Sequence, residues 1–273
     1  MPERGELLEL LYNAAARPPA IAGRVRYWAH VERQKAAMER DRHQGISYLT
    51  HQTTTRRGGP EPPEEHEHTI DMLVADSGHR FRVERSAQPG HRLTLSDGST
   101  FWYQVGPGQA IARPAGFPLH MEASELLDPT WLMGYDWGAA ERSTNLGRET
   151  LALSVHRRRG PMSQWGGHGP LPADAEVVID ASLGFLHRVV ATDAGQPYRV
   201  VEFVELELDP AVPVGAFSPE TAGLQVVDER AWQRRMRPVL LKRLWRAARR
   251  IGQRRRLRRA RARARAAAHQ SRA

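Results

Sequence analysis

Cysteine is absent from the 273 residues of this chain. Its absence excludes disulfide bonds, thiolate metal sites, cysteine nucleophiles and acylation on a lipoprotein cysteine. No run of about 18 apolar residues occurs either, so the sequence predicts no membrane-spanning helix. The first residues do not show the basic region and long apolar stretch of a secretory signal. We therefore expect a cytoplasmic protein, or one attached to the inner face of a membrane.

Recognisable catalytic motifs are also missing. The sequence contains no Gly-x-Ser-x-Gly elbow, no phosphate-binding loop and no Gly-x-Gly-x-x-Gly fingerprint. The sequence therefore predicts a protein that is not an enzyme and needs no cofactor. An unrecognised hydrolase is an alternative that only an assay can test.

One short segment, Glu64 to His68, combines histidines with carboxylates and is the best candidate for a metal site. In an extended segment His66 and His68 point to the same side, with acids beside them. The segment follows a loop rich in Pro and Gly, however, where a solvated run of charges is the more common structure. We therefore predict no bound metal.

Charge divides the chain into two parts. Residues 230–273 carry 18 of the 40 basic side chains and no acid, whereas the first 229 residues carry 22 basic and all 31 acidic groups. An acidic body with a cationic end is attracted to an anionic partner. We accordingly predict two parts, a domain over 1–228 and a basic tail over 229–273.

The start of the tail has the pattern of an amphipathic helix. At about 100° per residue, its leucines, Trp245 and Ile251 fall on one side and its basic residues on the other. The predicted contacts with a membrane or another anion are Leu240, Lys242, Arg243, Leu244, Trp245, Arg246, Arg249 and Arg250.

Three partners fit this tail. An anionic membrane surface is favoured because an arm that follows phosphates needs charge but no broad apolar stripe. Nucleic acid is the alternative partner, and docking of the apolar stripe on the protein's own body is the third interpretation. The alternative function is accordingly a regulatory protein associated with nucleic acid through its Arg-rich tail.

The body alternates short β-rich segments with turns, of which Asp97-Gly98 is the strongest hairpin signal. Helical spacing is confined to Glu6 to Ala16, to the polar stretch from Val31 to Arg42 and to an irregular patch around Trp131. Consecutive strands without crossover helices predict a large antiparallel sheet with helices on one face.

Three stretches are informative about the fold: Leu95 to Tyr103 with its Asp-Gly turn, Leu126 to Leu132, and Val177 to Arg188. Together they resemble the LolA/LolB/RseB-like superfamily of lipoprotein carriers. The third is followed by Gly195-Gln196-Pro197, Glu202-Phe203, Asp209-Pro210 and Phe217-Ser218-Pro219, in the order of the family's closing strands. The resemblance extends from about Gly5 to Pro219 and does not include the basic tail.

This resemblance implies an α+β fold, a strongly curved antiparallel half β-barrel with helices on its concave face. The basic C-terminal helix, predicted from its own charge and apolar pattern, is added to that fold. It also implies non-enzymatic binding of a lipid, an acyl chain or a protein partner, as a carrier or sensor. Aromatic rings are expected to line an apolar cavity reached by Trp102 and Trp131, although for most rings packing in the core is the favoured interpretation. The predicted ligand-binding residues are Trp28, Phe81, Trp102, Trp131 and Phe185.

Overall fold

A computed structural model describes residues 4–14, 20–43, 63–86, 91–115, 121–158 and 172–235. Thirteen strands in these ranges form one sheet. They are β1 (Ala20–His30), β2 (Glu65–Ala75), β3 (Arg80–Ser86), β4 (His91–Asp97), β5 (Thr100–Gly106), β6 (Gln109–Pro114), β7 (Tyr135–Trp137), β8 (Glu141–Asn145), β9 (Arg148–Arg157), β10 (Asp174–Asp180), β11 (Leu186–Asp193), β12 (Gln196–Leu208) and β13 (Gln225–Val226).

The sheet runs in the order β13-β6-β5-β4-β3-β2-β1-β12-β11-β10-β9-β7, and β8 also pairs with β9. All pairings are antiparallel except the short one between β13 and β6. The two halves of the sheet meet where β1 pairs with both β2 and β12. The sheet is open and curved, so the predicted antiparallel half-barrel is confirmed.

Helices cover the concave face of this sheet. The described helices of this part of the chain are α1 (Arg4–Tyr12), α2 (Val31–His43), α3 (Met121–Leu127) and two 3₁₀ helices, Asp76–Gly78 and Pro129–Gly134. Helix α3 contacts β1, β11 and β12, and α1 contacts the 3₁₀ helix Pro129–Gly134. Leu7 and Leu11 of α1 and Leu126 of α3 are buried there with the apolar side chains of both halves of the sheet. This is the principal core, and its burial is the main stabilising contribution.

The convex face combines ion pairs with a covering segment. Arg24 bonds to Asp71 and Glu205, so the middle of this face is charged and paired. The chain after β12 packs on the part of the convex face that extends toward β6. It forms two apolar clusters there. Phe217 packs with Ala20, Ala75 and Ala216, and Leu224 packs with Leu93, Leu95 and Ala110. The segment after β12 therefore covers part of the convex face of β4 to β6.

Several boundaries differ from the sequence prediction. The helix predicted over Glu6 to Ala16 is α1, which spans Arg4–Tyr12. The sequence predicts a loop from Thr53 to Glu67, whereas β2 begins at Glu65, inside that stretch. The short strands β7 and β13 were not predicted. The pairing of β2 with the whole of β1 explains the earlier start, because eleven consecutive residue pairs extend the strand through its charged residues.

The chain divides into two compact units, and the second includes the residues after Val226. A helix over 229–235 is the described part of that second unit. The predicted amphipathic helix from Leu240 to Ile251 lies outside the described residues, so the two-part division and the tail contacts stay predictions. Among the described helices, none has the length and apolarity needed to cross a bilayer.

Candidate functional site

The five predicted ligand-binding rings do not meet at one place. In an antiparallel sheet, paired residues share a face and successive residues alternate. Phe81, Trp131 and Phe185 lie in the principal core on the concave side and are at most 2% exposed. Their ligand-binding role stays a prediction.

Trp28 and Trp102 lie on the convex side instead. Trp28 is paired with Glu67 and donates a hydrogen bond from Nε1 to Glu65, 3.1 Å away. Trp102 is paired with Leu95 and packs in the cluster around Leu224. The prediction that Trp102 and Trp131 reach one cavity is therefore wrong, because the pleat of the sheet places the two rings on opposite faces.

Around Trp131, side chains fill the space between the helices and the sheet. Its ring packs edge-on against Tyr135, with 5.3 Å between centroids, and its Nε1 donates to the carbonyl of Glu125 at 3.1 Å. Phe185 is stacked on His187 and meets Phe203 edge-on. These rings are part of a packed interior.

A cleft of about 470 Å³ lies instead between α1 and the hairpin of β8 and β9. The volume falls in the usual range for sites that bind small molecules. Its lining is apolar at Leu7, Leu10, Leu151 and Ala181 and polar at Glu6, Arg142, Ser143, Thr144, Glu149 and Thr150. The arrangement suits a molecule with one apolar and one polar part.

The turn after β10 forms one wall of this cleft and fixes the position of α1. Gly184 has a φ of +84°, and a Cβ there would lie 2.3 Å from the carbonyl oxygen of Leu10. Only glycine permits both this backbone conformation and this close approach. The helix can therefore lie directly on the turn that contributes Ala181 to the lining.

Asp180 holds the turn in shape. It is fully buried and accepts hydrogen bonds from Arg148 Nε at 2.5 Å, from the Ser182 hydroxyl at 2.7 Å and from the Leu183 amide at 2.9 Å. His187 Nε2 lies 3.1 Å from the same carboxylate. Burial alone would raise the pKa of Asp180, but the hydrogen bonds from His187, Arg148 and Ser182 hold it well below its usual range.

A second buried ion pair fixes α3 to the concave face. Arg199 on β12 forms a two-pronged pair with Glu125 on α3, with N–O distances of 2.7 and 2.9 Å. Burial alone would lower the pKa of Arg199, but the Glu125 carboxylate raises it above its ordinary value. Both groups are thus charged where water is excluded, and each depends on the other.

The cleft offers hydrogen-bonding groups to a ligand. The Thr150 hydroxyl is buried and has no hydrogen-bond partner within the described ranges. Buried hydroxyls are normally satisfied, so a polar group of a ligand would complete this one. Among the lining residues that the structure describes, no histidine lies beside these hydroxyls as a base. No group of three or more His, Asp or Glu in the described part of the chain could hold a metal ion.

The sequence patterns did not reveal the cleft residues. Leu10 lies beside the face of α1 that carries Leu7 and Leu11, and Arg142 lies in a short exposed edge strand with no apolar alternation. The stretch from Val177 to Arg188 was the signal closest to the site, since it contains both Asp180 and Gly184.

The arrangement of sheet and helices is the one that the sequence resemblance predicted. Similar solved structures include a LolA superfamily protein from Nitrosomonas europaea, which is 9% identical with a TM-score of 0.32. The match covers 78% of this chain and 97% of that one.

Two further solved structures resemble this chain. Lipoprotein LppX of Mycobacterium tuberculosis is 12% identical with a TM-score of 0.39, and the match covers 77% of this chain and 98% of LppX. An uncharacterised conserved protein of Thermus thermophilus is 13% identical with a TM-score of 0.43, over 82% of this chain and 97% of that one. At these identities the likeness concerns the course of the chain alone.

No family model matches this chain. No curated protein matches it significantly either.

Proposed function

We propose that this protein binds an amphiphilic molecule, such as a lipid or fatty acid, and acts as a carrier or sensor without converting it chemically. The observation that carries the proposal is the cleft of about 470 Å³ between α1 and the hairpin of β8 and β9. Its apolar lining would receive an acyl chain, and Arg142 and the hydroxyls of β8 and β9 would face the polar end.

Filling the cleft tests this proposal. We expect Leu10→Trp to weaken binding of a fluorescent fatty acyl probe by at least about tenfold, because the larger ring would occupy the space of the ligand. Leu10 lines the cleft, whereas Leu8 on the same helix is 37% exposed and does not line it. Leu8→Trp is therefore the matched control and should bind the probe as the native chain does. Saturation titrations of the three proteins measure the difference.

Circular dichroism should show that both variants are folded. Equal binding by Leu10→Trp and the native chain would rule out the cleft as the site. Absence of saturable binding by the native chain would remove the proposed function altogether.

We also propose that the tail attaches the protein to an anionic membrane surface on the cytoplasmic side. What supports this is the combination of an apolar stripe, including Leu244 and Trp245, with 18 basic side chains after residue 229. Each basic residue near such a surface contributes about 1 kcal/mol to the free energy of membrane binding, and salt weakens this contribution. The contribution of inserted apolar groups is not weakened by salt.

Replacing Leu244 and Trp245 by Ser separates the membrane from nucleic acid as the partner. The charges all remain, so binding to anionic vesicles at physiological salt should fall sharply while binding to DNA should hardly change. Vesicle sedimentation and a DNA titration measure the two outcomes. Intact vesicle binding would favour a purely polybasic attachment, and unfolding of the variant would favour a helix docked on the body.

A further inference from the structure

Four side chains of the hairpin of β8 and β9 share the face that forms the cleft. Directly paired residues of an antiparallel ladder lie on the same side, and so do residues two apart along one strand. Arg142 is paired with Leu151, and Thr144 is paired with Glu149. Leu151 belongs to the principal core and lines the cleft with the other three. Arg142, Thr144 and Glu149 therefore face the cleft.

The two charged members of this group lie diagonally across the hairpin. Glu149 is two residues from the position paired with Arg142, so their Cβ atoms are about 7 Å apart. Within the described ranges, neither side chain forms an ion pair or a hydrogen bond, with the other or with a third residue. Both are exposed, so each presents its charge to a molecule that enters the cleft.

The remaining charged side chains of β9 differ from Glu149 in this respect. Each of them has a partner of opposite type: Arg148 bonds to Asp180, His156 to Asp174 and Arg157 to Asp41. Glu149 and Arg142 are the charges of this hairpin that the described protein leaves for a ligand to pair. A ligand with opposite charges at these two positions would pair both.

The balance of charge in the lining determines which head group fits. Among the described lining residues, Arg142 is the cation, while Glu6 on α1 and Glu149 are the acids. One cation and two acids give a net charge of −1. A head group with only a negative charge would pair with Arg142 but be repelled by the acids, and one with only a positive charge would be repelled by Arg142. A head group with one charge of each sign avoids both costs.

We infer that the cleft takes an amphiphile with a zwitterionic head group, in which an anionic and a cationic centre are joined by a short linker. This inference rests on the binding proposed above and names the class of ligand. The anionic centre, such as a phosphate, lies at Arg142, and the cationic centre, such as an ammonium group, lies at Glu149. The apolar chain lies along Leu7, Leu10 and Leu151.

Probes that share one alkyl chain isolate the contribution of the head group. Four are titrated by calorimetry below their micelle-forming concentrations: dodecylphosphocholine, dodecyl phosphate, dodecyltrimethylammonium and dodecyl maltoside. Their head groups are zwitterionic, anionic, cationic and neutral, in that order. We expect the native chain to bind dodecylphosphocholine most tightly, about fivefold more tightly than dodecyl maltoside, because the zwitterion gains two exposed charge contacts.

Three substitutions of similar kind assign the two charges. Glu149→Gln should weaken binding of dodecylphosphocholine by about threefold and strengthen binding of dodecyl phosphate. Arg142→Gln should also weaken dodecylphosphocholine, and it should strengthen dodecyltrimethylammonium. Glu141→Gln is the matched control, because Glu141 is exposed on the same hairpin and is not among the described lining residues. The control should change none of the four affinities, and dodecyl maltoside should respond to none of the variants.

A fifth probe identifies the source of the head group. Glycerophosphocholine carries the same two charges without the alkyl chain. Much weaker binding of this probe than of dodecylphosphocholine supports a lipid as the ligand. Equal binding of the two, with the same response to Glu149→Gln, supports the same zwitterion site for a soluble molecule.

The inference is overturned if the native chain binds dodecylphosphocholine no more tightly than dodecyl maltoside, or if Glu149→Gln and Glu141→Gln have equal effects. In either case Leu10→Trp still tests the proposed function, because filling the cleft weakens every dodecyl probe whatever its head group. If the native chain binds none of the four dodecyl probes, the inference and the proposed function both fail.

Discussion

Glu125→Leu should lower the free energy of unfolding by about 3 to 5 kcal/mol, the usual cost of removing one partner of a buried ion pair. The substitution leaves Arg199, which is 6% exposed, charged and without its carboxylate partner. Helix α3 would also lose the ionic contact that fixes it to β12. Urea unfolding followed by circular dichroism measures the effect.

The double variant Glu125→Leu with Arg199→Met separates two costs. One is the cost of leaving Arg199 buried without a partner, and the other is the cost of losing the ion pair itself. When both charges are replaced by apolar groups of similar size, the desolvation cost disappears as well. We expect the double variant to be more stable than either single variant and within about 2 kcal/mol of the native chain. Additive losses would show that the pair contributes little beyond the packing of its two side chains.

Asp180→Ala should lower the free energy of unfolding at pH 7 by about 3 kcal/mol or more, because the buried His187 and three less buried donors lose a fully buried acceptor at once. The affected donors are Arg148, His187, the Ser182 hydroxyl and the Leu183 amide. Since the turn supports α1 through Gly184, probe binding in the cleft should weaken as well. Urea unfolding and the acyl probe titration measure the two effects.

The pH dependence gives an independent check on Asp180. The pKa of Asp180 is lower in the folded chain than in the unfolded one. Its carboxylate therefore contributes fully to the free energy of unfolding above about pH 4, and this contribution is lost as the pH falls below that value. The difference in stability between native and Asp180→Ala proteins should therefore shrink from pH 7 to pH 3. A constant difference would mean that the charge of Asp180 contributes nothing. The variant Asp180→Asn keeps the side-chain shape, so its free energy of unfolding should lie between those of the native and Asp180→Ala proteins.

The fold could be predicted because antiparallel strands leave local signals. Turns such as Asp97-Gly98 mark the hairpins, and the stretch from Val177 to Arg188 marks the closing strands. The start of β2 could not be predicted from local pattern, because Glu65 to His68 has no apolar alternation and becomes a strand by pairing with β1. Tertiary pairing outweighs local composition there.

The site was much less predictable than the fold. The alternation of side chains along β5, which can be read from the sequence, places Trp102 on the face opposite Phe101 and Tyr103. It does not say which face the helices cover, so the rings could not be assigned to a cavity. The cleft arises where α1 meets β8 and β9, more than 120 residues away along the chain, and no local pattern records such a contact.

The ends of the sheet have a consequence for how this protein meets other molecules. On one side β13 pairs with the first residues of β6, and Pro114 ends that strand without an amide hydrogen to donate. On the other side the outermost strands are the short β7 and β8, the latter with exposed Glu141 and Arg142. Short, charged or proline-terminated borders discourage addition of a foreign strand. Chains of this protein should therefore resist joining edge to edge into fibrils, and a protein partner would have to approach a face of the sheet.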